Sequence, residues 1–414
     1  MSLPRLLAGL GPRPAVTLAE HEAAHGPRRA HAVDLAADVA AAGLRGRGGA
    51  SFPTAVKLRS VARQPGPRIV LVNGAEGEPM SLKDRVLLEC VPHLVLDGAL
   101  AAAAAVGADE VVVAVREDAA AASTAMRRAI DERGLRRVSV HGVRSAYLAG
   151  QESALIRHLD GGPLKPLPVP PRAFERGLQG RPTLVQNAET IAHLALIERW
   201  GPAWFRQLGT AEHPGSTLIT VGGAVAAPGV YEVACGSALS DALAAAGGPL
   251  EPLRAVLVGG YHGTWIHAER CPSVRLSDEG LARHGGSLAA GVIVALGRSA
   301  CPVRELARTV AWLAGQGAQQ CGPCSRGLPA LAQLLADMAD GRPPAGAHDK
   351  LVRWTRDVAG RGACSLPDGA SRFLASGVRV FGKQLAEHAR RGPCAACRRE
   401  PTLVVPAAAR RRAA

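Results

Sequence analysis

Residues 43–57 read G-L-R-G-R-G-G-A-S-F-P-T-A-V-K, with Gly43, Gly46, Gly48 and Gly49 inside seven residues and Arg45 and Arg47 between them. Glycine admits positive φ and lets a backbone approach a ligand closely. Pro53 stands where a first helical turn would begin, its fixed φ suited to that place. Residues 54–64 then continue as a plausible helix. Such a loop delivers backbone N–H groups and a helix N-terminus to an anion, and Lys57 adds a movable charge one turn in. Taken alone, a run of this kind also reads as a flexible basic loop.

The flanking sequence decides what the loop belongs to. Residues 33–42 form a short Ala-rich helix ending at Gly43. Residues 68–72 (R-I-V-L-V) are an apolar run of buried-strand type, closed by the turn-rich N-G-A-E-G-E-P of residues 73–79. A helix at 92–106, a strand at 110–115, a helix at 118–133 and a strand at 137–141 follow. This alternation predicts a parallel sheet with helices on both faces. Its ligands belong at the carboxyl ends of the strands, where Asn73 and Glu78 fall. After the Pro-rich residues 161–171, a helix runs to about Trp200. Two strands around A-P-G, a short helix and more strand from residue 216 predict a small α+β module. From Pro302 the pattern is helical, with four helices expected at 303–316, 328–340, 349–359 and 370–389. Residues 1–32 read as an irregular leader, and the tail from Arg398 as disordered.

The chain has 414 residues and a formal charge of +14, with 47% apolar and 3% aromatic residues. That is globular composition, long enough for two or three domains. The excess charge is almost all arginine, spread along the chain without a basic stripe interleaved with aromatics, so an acidic protein partner fits it better than nucleic acid. The start is too short and Pro-broken for a signal peptide, and the Ala-rich residues 98–108 are too short for a membrane span. Nine cysteines in such a chain point to a reducing compartment, by default the cytoplasm, and to metal or redox roles rather than a disulfide framework.

Four ordered motifs carry a resemblance: residues 46–57, 73–79, 147–155 (Y-L-A-G-Q-E-S-A-L) and 180–190 (G-R-P-T-L-V-Q-N-A-E-T). Together they resemble the family of the flavin-bearing 51-kDa subunit of respiratory complex I, over roughly residues 40–390. The resemblance implies an α/β FMN-binding domain at 33–212, a ubiquitin-like β-grasp (SLBB) domain at 213–300, and a C-terminal four-helix bundle at 301–392 that binds an iron–sulfur cluster. A leader (1–32) and a Cys/Arg-rich tail (393–414) flank them. It also implies an FMN site containing Gly46, Gly48, Lys57, Asn73, Glu76, Tyr147, Gly150, Glu152, Val185, Asn187 and Thr190. Ala75, Gln151 and Gln186 depart from the family pattern. The loop at 73–79 is also similar to that of the C subunit of Rnf-type complexes.

For NADH the resemblance implies Phe52, Glu78 and Glu152. Two aromatic positions of the family align here with Ser60 and Arg172, and Phe174 is the nearby candidate to compensate. Base–aromatic stacking contributes roughly 1–3 kcal/mol per base in nucleic-acid sites, so weak NADH binding is expected. Arg172 could instead meet a phosphate and favour NADPH. The family cluster motif has three cysteines near the position of C-G-P-C 321–324 and a fourth further on. Cys321, Cys324 and Cys364 match, but Ala318 stands at the first ligand position. The expectation is a [4Fe–4S] cluster on Cys321, Cys324 and Cys364. Its fourth ligand is Cys394, if the last helix stops near Phe381 or the chain folds back, or else one iron lacks a cysteine. A zinc or dithiol site is the alternative for a lone C-x-x-C. Cys90, Cys235, Cys271 and Cys301 read as plain buried residues.

The function so implied is a flavoprotein electron-transfer subunit, NADH dehydrogenase-like. It would pass electrons from NAD(P)H through FMN to an iron–sulfur centre or a ferredoxin-like partner, and it could do so in a complex peripheral to a membrane. The rival readings are a flavin protein that exchanges electrons only with partner proteins, and a degenerate assembly module. No side-chain nucleophile or general base stands out.

Overall fold

The computed structural model describes residues 3–10, 15–28 and 34–406. Two compact units emerge: Met1–Gly77 with Ser81–Ile219 and Val230–Ser237, and Glu78–Met80 with Thr220–Gly229 and Ala238–Ala414.

The first unit opens with α1 (Leu18–His25) and α2 (Leu35–Ala42). The leader is therefore not irregular throughout. Thr17 and Glu20 form a reciprocal capping box at the start of α1, and Leu6 is fully buried in the main core. The underlying signal, T-x-x-E before a short Ala- and His-containing run, is legible in the sequence once its weak apolar face is discounted. His21 on α1 bonds Asp97 at 2.8 Å, and Arg133 and Arg199 bind the same carboxylate. Asp34 caps α2, and Gly43 at φ +72° ends it.

The glycine loop leads into α3 (Thr54–Ala62), then β1 (Arg68–Gly74), α4 (Lys83–Cys90), α5 (Pro92–Val106), β2 (Ala108–Arg116), α6 (Ala120–Glu132), β3 (Val138–Val143), α7 (Glu152–Leu159), β4 (Thr183–Asn187) and α8 (Ala188–Phe205). The sheet order is β3-β2-β1-β4, and the pairs are all parallel. The valine-rich strands β1 and β2 are buried through their centres, as helices on both faces require. Helix α4 is an element that the sequence pattern does not announce; it occupies the segment after the acidic turn. Gly98 lets α5 press on α8: a Cβ there would lie 1.8 Å from the Ile191 carbonyl oxygen.

The chain then runs through β5 (Ser216–Gly223), β6 (Gly229–Ala234), α9 (Leu239–Ala245), β7 (Leu253–Val258), β8 (Thr264–His267), α10 (Asp278–Ala282) and β9 (Val292–Gly297). These strands make a mixed sheet in the order β6-β5-β9-β7-β8. β5 and β9 are parallel, and β7 is antiparallel to both β9 and β8. Four helices follow: α11 (Pro302–Gly315), α12 (Leu328–Ala339), α13 (Ala347–Val358) and α14 (Ser365–Arg391). Packing joins α11 with α12 and α14, and α13 with α12 and α14. Helix α14 kinks at Phe381 (φ −112°, ψ 18°) but continues to Arg391.

Residues 398–406, beyond α14, are held by specific bonds. Glu305 accepts from the N–H groups of Thr402 (2.6 Å) and Leu403 (3.2 Å), and the Tyr261 hydroxyl donates to the Val404 carbonyl at 2.5 Å. The expected disorder from Arg398 is thus corrected for residues 398–406; residues 407–414 lie outside the described residues. Among the described residues, no single helix is long and apolar enough to cross a membrane.

Candidate functional site

Strands β1 and β4 are neighbours, yet β1 continues to β2 on one side while β4 is reached only after β3 on the other. That makes the carboxyl ends of β1 and β4 a topological switch point, the crevice where open α/β sheets bind ligands. Asn73 and Asn187 sit there side by side in register. The glycine loop folds beside them. Its ends are tied by Gly46 N–H to Phe52 O (2.9 Å) and Thr54 N–H to Leu44 O (3.0 Å), and Gly49 (φ +101°) and Ser51 (φ +49°) take the left-handed turn between. Gly48 lies against Asn187, where an added Cβ would come within 3.2 Å of Asn187 Cβ. Thr190 holds the loop from beneath, its Oγ1 accepting from Arg47 N–H at 2.8 Å. Helix α3 has no side-chain cap hydrogen bond; besides Thr54 N–H, that of Val56 donates to backbone, to Pro53 O at 3.2 Å.

Lys57 Nζ donates to Glu152 Oε2 (2.7 Å) and to the Val185 carbonyl at 3.2 Å. Both side chains remain about one-third exposed, so the ion pair is accessible and contributes little to stability. Asn73 Nδ2 donates to the Gly150 carbonyl at 3.0 Å, and Gly150 closes on Ala75 O. Tyr147 begins the same short turn; a Cβ on Gly77 would meet its carbonyl oxygen at 2.2 Å. Gly46, Gly48, Lys57, Asn73, Gly150, Glu152, Val185, Asn187 and Thr190 are thus brought into one neighbourhood. Bare backbone, a helix start without a side-chain cap and a mobile lysine suit a phosphate, while the amide and carboxylate side chains suit hydroxyls. The residues fit FMN.

The two remaining carboxylates point elsewhere. Glu76 is buried and accepts from Ser81 Oγ and from the N–H groups of Asp84 (3.3 Å) and Arg85 (3.4 Å), so it caps α4. Burial, with the nearby Asp84 charge, pushes its carboxyl up to about 7. Lys83 stands beside it, bonded to Asp84 (2.8 Å), Glu189 (3.1 Å) and Asn187 Oδ1 (3.2 Å). Burial opposes the Lys83 charge, but those carboxylates outweigh it and raise its pKa. Sequence reasoning misses this buried knot; the signal is the K-D pair directly after the acidic turn. Glu78 is buried and accepts from Tyr261 N–H at 2.8 Å.

Phe52 is 45% exposed on the loop, as a stacking platform requires. Ser60 bonds back to the Val56 carbonyl (2.8 Å) and Arg172 is exposed. Phe174 is partly buried, packed against the hydrophobic core.

In the second unit, Cys324 lies in the single π-helical turn at Pro323–Gly327 that enters α12, an irregularity frequent at functional sites. Burial pushes the Cys324 thiol up, while the N–H groups of Gln319 and Ala318 donate to it. Cys364, which precedes α14, lies in the electrostatic field of Cys324 and Cys321. Ala318, whose N–H reaches Cys324, is buried. Cysteines that receive backbone N–H groups, as Cys324 and Cys364 do, suit an iron–sulfur cluster.

Cys394 does not join them. It lies beyond the far end of α14, where Cys394, Cys397, Cys301 and His388 place their ligand atoms within 4.8 Å of one another. The kink at Phe381 does not end the helix, which carries the chain away from Cys364. Cys301 is accordingly not a plain core residue, whereas Cys235 and Cys271 are buried thiols and Cys90 is half-buried.

Three family models match in chain order: the Nuo51 FMN-binding domain over residues 39–196, the SLBB domain over 218–260, and the NADH-ubiquinone oxidoreductase-F iron–sulfur binding region over 304–388. The chain is 32% identical over 388 residues to the F subunit of the Streptomyces coelicolor NADH-quinone oxidoreductase, covering 89% of this chain and 86% of that one. It belongs to the family of NADH-quinone oxidoreductase F subunits. The second such protein of Rhizobium meliloti, numbered F 2, is similar at 31% identity, covering 85% and 87%. Among solved structures, an NAD+-reducing [NiFe]-hydrogenase in its H2-reduced state matches with TM-score 0.79 and 31% identity, covering 86% of this chain. The chain spans 62% of that hydrogenase chain, under two-thirds of its length. This homologue of the F subunits thus carries an FMN-binding domain, an SLBB domain and an iron–sulfur binding region, and the switch-point site lies inside the first of them.

Proposed function

We propose that this chain is the NADH-oxidising flavoprotein of a multisubunit electron-transfer assembly, delivering electrons to an iron–sulfur partner protein. The observation that carries it is the convergence of Lys57, Glu152, Asn73 and Asn187 on the Gly46–Gly49 backbone at the switch point. Bound FMN supplies what no side chain here can: acceptance of a hydride and release of electrons singly. The residues do the holding. Gly46, Gly48 and the start of α3 receive the phosphate, and Lys57 neutralises it by leaving Glu152. Glu152 and Asn73 are then free for ribityl hydroxyls and the ring edge, and Phe52 stacks on the dinucleotide. Thr190 and Asn187 position the loop, and Glu76 positions α4, all without touching the ligand. Cys321, Cys324 and Cys364 hold the cluster, one iron being left without a cysteine. The four C-terminal helices form the bundle that presents it, and the domain limits are 33–212, 213–300 and 301–392. An acidic ferredoxin-like partner suits the +14 charge, and the cytoplasm, in a complex peripheral to a membrane, suits the cysteine usage.

The anaerobically purified full chain should show flavin absorbance that NADH bleaches. Gly48→Val should lose the flavin, because the new side chain enters the loop where it already lies 3.2 Å from Asn187. A protein that takes up no FMN on anaerobic reconstitution would sink the proposal. A second reading rests on Ser60, Arg172 and the core-packed Phe174, which leave Phe52 as the aromatic platform. If dithionite reduces the flavin but NADH at tens of millimolar, above the usual KM range of about 1 μM–1 mM, does not, the chain exchanges electrons only with proteins.

A further inference from the structure

We propose that Cys301, His388, Cys394 and Cys397 form a structural zinc site that closes the C-terminal end of this chain onto helices α11 and α14. The ligands come from three places that the fold must bring together. Cys301 is the residue before α11, His388 lies in the last turn of α14, and just past Gly392 Cys394 precedes a 3-10 turn that contains Cys397. The Cys394 and Cys397 sulfurs are 3.8 Å apart, those of Cys397 and Cys301 3.3 Å, and His388 Nε2 lies 3.5 Å from Cys301 Sγ and 3.9 Å from Cys397 Sγ. With Zn–S bonds of about 2.3 Å, a tetrahedron has edges of roughly 3.8 Å. The measured separations cluster around that edge length. Three thiols and one imidazole are a common structural zinc set, and all four positions are filled by protein, as structural rather than catalytic sites require.

The surroundings suit thiolates. The Arg304 N–H donates to Cys301 Sγ, and those of Ala396 and Cys397 donate to Cys394 Sγ. The Arg304 guanidinium bonds the Cys397 carbonyl at 2.5 Å, next to a centre whose net charge would be −1. Cys301, His388 and Cys397 are buried and Cys394 sits at the exposed rim, which gives an ion an entry path. A cubane cluster needs its cysteines on separate irons, splayed around a core; four donors converging on one point leave room for a single ion. A disulfide would pair two of the sulfurs and strand the third beside a buried imidazole.

The role follows from what the site anchors. The strap at residues 397–404 crosses α11, held by Arg304, by Glu305 and by Tyr261. Arg308 also donates to the Leu403 carbonyl and Val404 N–H to the Met80 sulfur, and to these bonds zinc coordination adds free energy that is itself folding free energy.

Metal analysis of the full chain should find about one zinc per chain in addition to iron. Cys397→Ser and His388→Ala should lose it while iron and flavin stay. Cobalt-grown protein should show the intense d–d and thiolate charge-transfer bands of a tetrahedral cysteine-rich site, and Cys394→Ser, at the exposed rim, should weaken them even if buried-site variants fold poorly. Zinc-free protein with all nine thiols reactive after denaturation, a Cys301–Cys397 disulfide, iron in place of zinc, or zinc that disappears with Cys321→Ser would each overturn the assignment.

Discussion

The second unit carries two sets of cysteines, and they differ in the way that separates a working site from a fastening. Cys321, Cys324 and Cys364 are three, with a buried alanine whose N–H reaches Cys324, and begin at an irregular helical turn. Cys301, His388, Cys394 and Cys397 are four, and their donor atoms all face one another within 4.8 Å. An incomplete ligand set leaves a coordination position open, which suits electron traffic or an exogenous ligand. A complete one excludes both and serves to hold chain together. The first unit repeats the contrast. Lys57 at the glycine loop is one-third exposed with a single exposed carboxylate, while Lys83 is buried among Asp84, Glu189 and Asn187. The open lysine waits for a ligand; the closed one needs none.

The largest effect expected is a double separation. Cys364→Ser should strip most of the iron and leave zinc near one per chain, whereas Cys397→Ser should do the reverse, each loss being about tenfold or more, since even loss of an outer-shell partner of a metal ligand costs about 10–100-fold. Iron analysis, zinc analysis and EPR on the same samples check it. Coordinated loss of both metals in either variant would merge the two sites into one folding event and remove the contrast.

Ala318→Cys sharpens the open side. The added thiol would sit in a buried position whose N–H already donates to Cys324, offering a fourth cysteine to the proposed cluster. The cluster should then resist air oxidation to the three-iron form, read by EPR as a several-fold smaller three-iron signal after controlled exposure. No change in cluster lability would mean that Ala318 is not the vacant position.

The sequence is legible where periodicity and motif order coincide. The alternation of strands and helices from residue 68 to 143 yields the parallel sheet, and four ordered motifs place the glycine loop at its switch point. It is less legible where a side chain could serve either of two neighbours. Glu76 and Glu78 sit two residues apart in a turn whose motif suggests a ligand, yet one caps α4 and the other accepts from Tyr261. Distance along the chain hides the closed thiol site. Cys301 and Cys397 are ninety-six residues apart with sulfurs at 3.3 Å, and only the continuation of α14 beyond its kink at Phe381 shows where Cys394 emerges. The useful signal is present as His388 followed by C-A-A-C, but half of a ligand set does not identify its other half.

Glu305→Ala tests whether the closed site or the strap comes first. It leaves the N–H groups of Thr402 and Leu403 without their acceptor, which should cost roughly 1–3 kcal/mol. Limited proteolysis should then cut near residues 402–404 while zinc stays near one per chain. Loss of zinc in this variant would make the metal a passenger on the strap rather than its anchor.

The smallest effect concerns the closed knot of the first unit, through Glu76→Gln. Glutamine keeps an acceptor for the α4 N–H groups and cannot ionise, so flavin content should match the wild type if Glu76 only positions the helix; lost flavin would place it in the ligand site. The pH dependence has a definite sign. The folded-state pKa of Glu76 is raised to about 7 from the ordinary 4.5, so between those values the folded protein holds a proton that the unfolded chain has released. Stability therefore falls as pH rises from about 4.5 to about 7, and stays lower above it. The variant lacks that slope, so it should gain on the wild type by on the order of 1–3 kcal/mol between pH 5 and pH 8. His25 acts in the opposite direction. Burial lowers it to about 4 from 6.5, so its contribution to stability is full above about 6.5 and is lost as pH falls toward 4. Because both proteins carry His25, the difference between their denaturation curves isolates Glu76. A difference that does not change with pH would show that the Glu76 carboxyl ionises in the folded protein as it does in the unfolded chain, and that the knot around Lys83 is less closed than its geometry.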